Sequence, residues 1–121
     1  MSELIGDVAQ LEDGGVGLRF DVKHQGELIP AFAIRFDGVV AAYLNRCGHI
    51  AIPLDYNPGS FFSDDKQTLV CSTHGAEYAP NTGQCLGGPC YGVGLDPLPV
   101  SEQEGKLYLE STEYEVIRNH V

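Results

Sequence analysis

The sequence predicts a small all-β protein. Fifteen glycines and seven prolines interrupt the 121 residues, and the runs between them alternate apolar with polar side chains. No window of helical length keeps apolar residues at positions i, i+3, i+4 and i+7. A chain of this length fits one domain. We therefore predict a single domain over residues 1–121, with room for one core and one site.

The N-terminal third has the pattern of consecutive antiparallel strands. Alternation over residues 18–22 and 32–36 predicts two strands, and the polar residues 24–27 predict a turn between them. Asp37-Gly38 is a strong signal for a two-residue hairpin turn. Residues 39–44 are then expected to form the return strand.

The rest of the chain repeats this pattern around a denser middle segment. Residues 68–70 and 77–79 are expected to be short strands, and residues 106–110 and 114–117 a terminal hairpin pair. Between about residues 47 and 90 the chain is richer in Gly, Pro, Cys and His than either flank. This predicts a site-bearing insertion on a β scaffold.

The charge of the chain excludes several partners. It has 17 acidic and 7 basic residues, a formal net charge of -10, which disfavours nucleic acid and anionic membranes and favours a basic protein partner. Residues 1–7 lack the regions of a signal peptide, and the longest apolar run, residues 39–44, is too short to cross a bilayer. We predict a cytoplasmic protein.

Two short motifs, Cys47-Gly48-His49 and Cys71-Ser72-Thr73-His74, each place a cysteine and a histidine close together. Each motif offers one thiolate and one imidazole within a single turn, a combination that binds transition metals. Two facing loops would bring all four side chains to one site. Two cysteines and two histidines also suit a structural zinc ion, and the four could instead be ordinary buried residues.

The order Cys-x-His, a spacer over residues 50–70 and Cys-x-x-His resembles the Rieske family. The surrounding sequence is similar to Rieske ferredoxins over about residues 41–99, at Asn45 and at residues 53–54, 68–70, 74–78, 82–83 and 87–89. The resemblance implies an antiparallel β sandwich with a small cluster-binding subdomain at about residues 45–92. It also implies one [2Fe-2S] cluster, with Cys47 and Cys71 on one iron and His49 and His74 on the other.

Two departures from the family pattern narrow the resemblance. The spacer is longer than usual, and residues 55–60 or 63–66 are the expected place for the additional ones. The high-potential branch has an additional disulfide between the ligand loops, whereas this chain has Ile52 and Thr73 there. The chain therefore resembles the ferredoxin branch.

The two remaining cysteines, Cys85 and Cys90, are separated by four residues. In the reducing cytosol we expect them to be reduced thiols that pack as small apolar groups. A disulfide, which would fasten the loop that covers the cluster in this family, and a second metal site are the alternatives.

The resemblance also concerns the reduction potential. High-potential relatives have a Ser where this chain has Ala76, and a Tyr where it keeps Tyr78. Hydrogen bonds to the cluster sulfurs raise the potential, so we expect a value in the lower to middle part of the Rieske range. Tyr78 is either such a donor or a core aromatic. His49 and His74 are expected to form the tip at which a partner docks.

The function that the resemblance implies is electron transfer, not catalysis. We expect a one-electron carrier between a reductase and a terminal oxygenase or a similar enzyme. The alternatives are the small Rieske subunit of a nitrite-reductase-like complex and, in another class, a structural zinc-binding module. A mononuclear iron of the oxygenase type is not expected. It would need an additional catalytic domain with two histidines and a carboxylate, and outside the two motifs this chain has only His24 and His120.

Overall fold

The structure is a computed structural model that describes residues 2–9, 11–46, 54–55, 59–71, 75–88 and 94–117. Within these ranges the chain forms eleven β-strands and no helix, which confirms the predicted all-β class. The strands are β1 (Ser2–Asp7), β2 (Leu18–His24), β3 (Glu27–Phe36), β4 (Val39–Leu44), β5 (Leu69–Val70), β6 (Glu77–Tyr78), β7 (Cys85–Gly87), β8 (Pro97–Leu98), β9 (Val100–Gln103), β10 (Lys106–Glu110) and β11 (Glu115–Ile117). None of the described segments is a helix long and apolar enough to cross a membrane.

A five-stranded antiparallel sheet in the order β11-β2-β3-β4-β8 forms the middle of the fold. Its two hairpins have two-residue turns in which both central residues have positive φ: Gln25 and Gly26 at 51° and 81°, Asp37 and Gly38 at 54° and 81°. Such turns match the right-handed twist of the strands they connect. Both predicted turns are therefore confirmed.

Strand β3 is buried on both faces of this sheet. Phe32 and Ile34 point into one apolar cluster, and Ala31 and Ala33 point into another. Alternation along a strand sends successive side chains to opposite faces, so the five-stranded sheet separates two cores. We call the cluster that contains Ala31 and Ala33 the sandwich core; it lies between this sheet and a second sheet in the order β1-β10-β9. We call the cluster that contains Phe32 and Ile34 the site core; it lies between the five-stranded sheet and the third sheet, β5-β6-β7.

The predicted terminal hairpin pair is wrong. Strand β10 pairs with β1 and β9, whereas β11 pairs with β2 in the other sheet. The hairpin turn lies earlier, at Glu104 and Gly105 with φ values of 53° and 77°. After β10, the Ser111 Oγ accepts hydrogen bonds from the amides of Glu113 and Tyr114 at 3.0 and 3.3 Å, and this turn takes the chain across to β2.

The third sheet arises from the segment between two paired neighbours. Strand β4 pairs with β8 through Ala42 and Leu98, and the Leu44 amide donates to the Asp96 carbonyl at 2.9 Å. The chain therefore leaves the five-stranded sheet at β4 and returns beside it at β8. Strands β5, β6 and β7 lie in the intervening segment, which is the segment predicted to hold the site.

Candidate metal centre

Cys71 is the one predicted ligand that the structure describes. It follows β5 directly, its side chain has no exposed surface, and it is not part of a disulfide. Cys47, His49 and His74 lie outside the described residues. The described part of the site consists of Cys71 and the ends of the loops that contain the other three.

The second ligand loop is closed by two backbone hydrogen bonds. The Gly75 amide donates to the Cys71 carbonyl at 2.7 Å, and the Cys71 amide donates to the Ala76 carbonyl at 2.9 Å. Gly75 has a φ of 76°, in the left-handed region that favours glycine. The ends of the loop that contains His74 are thus fixed beside the buried Cys71.

The ends of the first ligand loop are also held together. The Asn45 Oδ1 accepts a hydrogen bond from the Leu54 amide at 2.8 Å, and the Asn45 Nδ2 donates to the Asp55 Oδ1 at 2.9 Å. These contacts bracket residues 46–53, the segment that includes Cys47 and His49. Leu54 belongs to the same buried apolar cluster as Cys71, so the first loop ends, and the second begins, at one cluster.

A third loop begins where β7 ends and lies against the second. A Cβ added to Gly88, whose φ is 79°, would be 2.9 Å from both the Ala76 Cα and the Gly75 carbonyl oxygen. Real Cβ atoms do not approach so closely, so only glycine allows this contact. Gly88 therefore lies directly against the end of the second ligand loop.

The site core joins the three loops to the sandwich. Its members from the segment between β4 and β8 include Leu54, Phe61, Cys71, Ala76 and Tyr78, and its members from the five-stranded sheet include Phe32 and Tyr43. The rings of Phe32 and Phe61 stack with centroids 4.0 Å apart. The Tyr43 hydroxyl donates to the Pro80 carbonyl at 2.8 Å, and burial raises the Tyr43 pKa to about 12.

These features fit an iron–sulfur cluster. A buried cysteine in apolar surroundings, beside loops whose backbone ends are already fixed, can supply a thiolate without reorganising the chain. The described residues contain no group of three or more His, Cys, Asp or Glu that could hold a metal ion; three of the four predicted ligands lie outside them. The ligand set Cys47, His49, Cys71 and His74 therefore stays a prediction.

Cys85 differs from the expectation for reduced thiols, because it is disulfide-bonded. Cys71 is not in a disulfide and is therefore not the partner of Cys85. The other two cysteines, Cys47 and Cys90, lie outside the described residues. Cys85 belongs to β7, the strand that leads into the third loop, so the bond constrains a strand of the candidate site.

No pattern in the sequence predicts the contact between Arg19 and Asp55. The Arg19 Nε lies 2.8 Å from the Asp55 Oδ2, although 36 positions separate them in the chain. From the sequence, Asp55 is only an expected place for the additional residues of the longer spacer. Its side chain has no exposed surface, so this part of the spacer is an anchor.

A family model now decides between the possible metal centres, because the model for the Rieske [2Fe-2S] domain matches residues 4–102. The chain belongs to the Rieske [2Fe-2S] family. The cofactor of this Rieske domain is one [2Fe-2S] cluster. No curated protein sequence matches the chain significantly.

Solved structures show the same fold. The ferredoxin of carbazole 1,9a-dioxygenase from Nocardioides aromaticivorans IC177 is 22% identical with a TM-score of 0.69, over 90% of this chain and 96% of the ferredoxin. The Sphingomonas yanoikuyae B1 ferredoxin is 21% identical with a TM-score of 0.69, over 92% of this chain and 99% of the ferredoxin. The terminal oxygenase of carbazole 1,9a-dioxygenase from Novosphingobium sp. KA1 is 23% identical with a TM-score of 0.67, over 89% of this chain but 29% of the oxygenase.

Proposed function

We propose that this Rieske protein is a one-electron carrier that takes electrons from a reductase and passes them to a terminal oxygenase or a similar enzyme. The observation that carries the proposal is the extent of the match. The chain spans 96% and 99% of two ferredoxins but 29% of an oxygenase. Its likeness is therefore to whole electron carriers and to one part of an enzyme.

In this proposal Cys47 and Cys71 bind one iron, and His49 and His74 bind the other. When bound, the [2Fe-2S] cluster accepts and releases one electron at a time. The two thiolates neutralise the charge of the oxidised core, and the neutral imidazoles add no negative charge. The protein thus opposes reduction less than four thiolates would. The apolar residues of the site core exclude water from the Cys71 sulfur.

The proposed partners follow from charge and from the relatives. One similar structure is a complex of reduced oxygenase and oxidized ferredoxin in carbazole 1,9a-dioxygenase. For this chain, a net charge of -10 favours a reductase and an acceptor with basic docking faces. A location in the cytoplasm is part of the proposal. The disulfide at Cys85 is the observation that weighs against it, because the cytosol keeps thiols reduced.

The proposal is tested by metal analysis of the protein purified without oxygen, followed by EPR of the dithionite-reduced sample. We expect two irons and two acid-labile sulfides per chain, in the ratio of a [2Fe-2S] cluster, and the EPR signal of a reduced Rieske centre. One zinc ion without sulfide would instead establish the structural zinc module and end the electron-carrier proposal.

Substitution of the predicted ligands tests the site itself. Cys71→Ser is expected to abolish the reduced-Rieske EPR signal, because a hydroxyl is a poor replacement for a thiolate ligand. Cys85→Ser is the control, because it removes a sulfur from β7 of the neighbouring sheet at a cysteine that is not in the proposed ligand set. It should retain the signal. An unchanged signal in Cys71→Ser would contradict the proposed ligand set.

A further inference from the structure

A buried polar cluster joins the first ligand loop to the sandwich. We name it the loop clamp and define it as Arg19, Asn45 and Asp55. Asn45 directly follows β4, Arg19 lies on β2, and Asp55 follows the loop. The three side chains meet although they come from separate parts of the sequence.

Asp55 is the centre of the loop clamp. Its carboxylate has no exposed surface, and both oxygens accept hydrogen bonds. The Oδ1 accepts from the Asn45 Nδ2 at 2.9 Å, and the Oδ2 accepts from the Gly59 amide at 2.9 Å and from the Arg19 Nε at 2.8 Å. A buried carboxylate is stable only when it is paired in this way. Asp55 therefore depends on all three donors.

Asn45 connects this carboxylate to both the sheet and the loop. The Asn45 backbone amide donates to the Pro30 carbonyl on β3 at 2.8 Å, and the side-chain Oδ1 accepts from the Leu54 backbone amide at 2.8 Å. The two ends of the segment 46–53 are thus held by one side chain. That segment has eight residues, and two of them are Cys47 and His49.

We propose that the loop clamp positions the first ligand loop, so that Asn45, Asp55 and Arg19 control how long the cluster is retained and how its ligands are oriented. This rests on the proposed function, because it takes Cys47 and His49 as ligands. The three clamp residues are positioning residues. They act through the loop ends and do not touch the cluster.

The chemistry of the contacts makes Asp55→Asn a sharp test. Among the described residues, every polar contact of the two Asp55 oxygens is with a donor. In the variant, one position must be an amide NH2, which donates and does not accept. Whichever way the new side chain turns, it places a donor against the Asn45 Nδ2 or against the Gly59 amide and Arg19. The substitution thus breaks the clamp without changing its size.

The experiment measures the loss of visible cluster absorbance in the presence of an iron chelator, together with the EPR spectrum of the reduced protein. We expect Asp55→Asn and Asn45→Ala to lose the cluster roughly tenfold or more faster than the unsubstituted protein, with shifted or broadened EPR lines. Arg19→Met removes only the half-exposed donor and should cause a smaller acceleration. Urea unfolding of each protein is measured in parallel.

Glu102→Gln is the matched control. Glu102 accepts hydrogen bonds from the Arg35 guanidinium at 3.2 and 2.8 Å, so this variant also changes a carboxylate to an amide in an ion pair, but on β9. It should lower the resistance to urea while leaving the EPR lines and the rate of cluster loss unchanged.

Each outcome decides the proposal. If the unsubstituted protein contains no cluster, the proposed function fails, and the inference that rests on it falls with it. If it contains a cluster and the clamp variants retain it normally with unchanged EPR lines, only the loop clamp is overturned. Equal acceleration in Glu102→Gln would also overturn it, because the effect would then be general destabilisation. If Asp55→Asn does not fold, Arg19→Met decides, and an unchanged rate of cluster loss in Arg19→Met overturns the clamp.

Discussion

At the scale of single residues, Tyr78 has two predicted roles: a core aromatic, and a hydrogen-bond donor to a cluster sulfur. Its side chain is completely buried in the site core, in the same cluster as Cys71, and it pairs with Leu69 across β5 and β6. A buried tyrosine contributes its ring to packing, and its hydroxyl usually has a hydrogen-bond partner. The burial of Tyr78 establishes its packing role. The reduction potential tests its role as a donor.

We predict that Tyr78→Phe lowers the reduction potential. A hydroxyl that donates to a cluster sulfur stabilises the more negative reduced state, and one hydrogen bond corresponds to a change on the order of 20–60 mV for one electron. Protein-film voltammetry measures the shift. Tyr43→Phe is the control, because the Tyr43 hydroxyl donates to the Pro80 carbonyl and its removal should leave the potential unchanged. Equal potentials for Tyr78→Phe and the parent would contradict the role as donor.

Tyr43 leads to a prediction about alkaline pH. Burial raises the pKa of its hydroxyl from 10, the value of an exposed tyrosine, to about 12, because the buried site disfavours the charged phenolate. The resulting stability is complete below pH 10 and is lost as the pH rises through 12. We expect a loss on the order of 1–2 kcal/mol after allowance for solvent screening. Urea unfolding between pH 9 and 12 should be less dependent on pH in Tyr43→Phe, and parallel curves would contradict this.

At the scale of elements, the contact between the second and third loops depends on one glycine. We predict that Gly88→Ala weakens cluster retention, because the added Cβ would collide with Gly75 and Ala76 backbone atoms at 2.9 Å. Overpacking of this kind lowers the free energy of unfolding by about 1–3 kcal/mol. Gly26→Ala is the matched control: its φ of 81° is just as unfavourable for alanine, but no atom lies within 4 Å of the added Cβ.

Cluster absorbance under chelator challenge separates the two glycine variants. Both should lower the free energy of unfolding, and only Gly88→Ala should also shorten the lifetime of the cluster. Equal lifetimes would show that the close approach of the third loop does not support the cluster.

The disulfide at Cys85 gives a prediction about strand β7 and the loop after it. We predict that the partner is Cys90, because Cys47 is the first ligand in the proposed set. With four cysteines in the chain, thiol titration of the denatured, cluster-free protein should find two thiols, and Cys90→Ser should show three. A bond between Cys85 and Cys47 would instead leave one thiol in Cys90→Ser. Four thiols in the parent would mean that the bond is absent from the purified protein.

The elements also show what the sequence could and could not predict. Asp37-Gly38 predicted its hairpin correctly, because the required positive φ values are a local property of those two residues. The terminal hairpin was wrong, because the partners of β10 are strands far along the chain and alternation does not specify a partner. Strand β9 was missed, since Val100–Gln103 has only one apolar residue. The pairing of Arg19 with Asp55 was missed for the same reason as the hairpin.

At the scale of the whole molecule, one sheet serves two purposes. The small residues Ala31, Ala33 and Ala42 face the sandwich core, where β1-β10-β9 packs closely, and the aromatic residues Phe32 and Tyr43 face the site core. The segment predicted to bind the cluster therefore packs against an aromatic layer. Arg35 strengthens the other side, because its guanidinium donates to the Leu11 and Val8 carbonyls at 2.8 and 2.9 Å and pairs with Glu102.

The net charge of -10 belongs to the whole surface and not to one site. At about 0.1 M salt the screening length is about 10 Å, so the field of the surface reaches an approaching partner only at low ionic strength. Attraction then raises the rate of encounter with cations and lowers it with anions. Electron transfer to small redox ions is therefore a direct measure of this field, without any assumption about the natural partner.

We predict that the reduced protein passes its electron to a cobalt(III) hexaammine cation at a rate that falls as salt is added, and to the hexacyanoferrate(III) anion at a rate that rises. Over about 0.01 to 0.5 M salt the change should approach tenfold, because long-range steering is lost once the Debye length shrinks to a few ångströms. Stopped-flow absorbance at the cluster bands measures both rates. The opposite signs distinguish attraction by the surface from a general effect of salt on the cluster, which would move both rates in the same direction. If both oxidants respond alike, the acidic surface does not govern access to the cluster, and a basic docking face on the natural partners is no longer required.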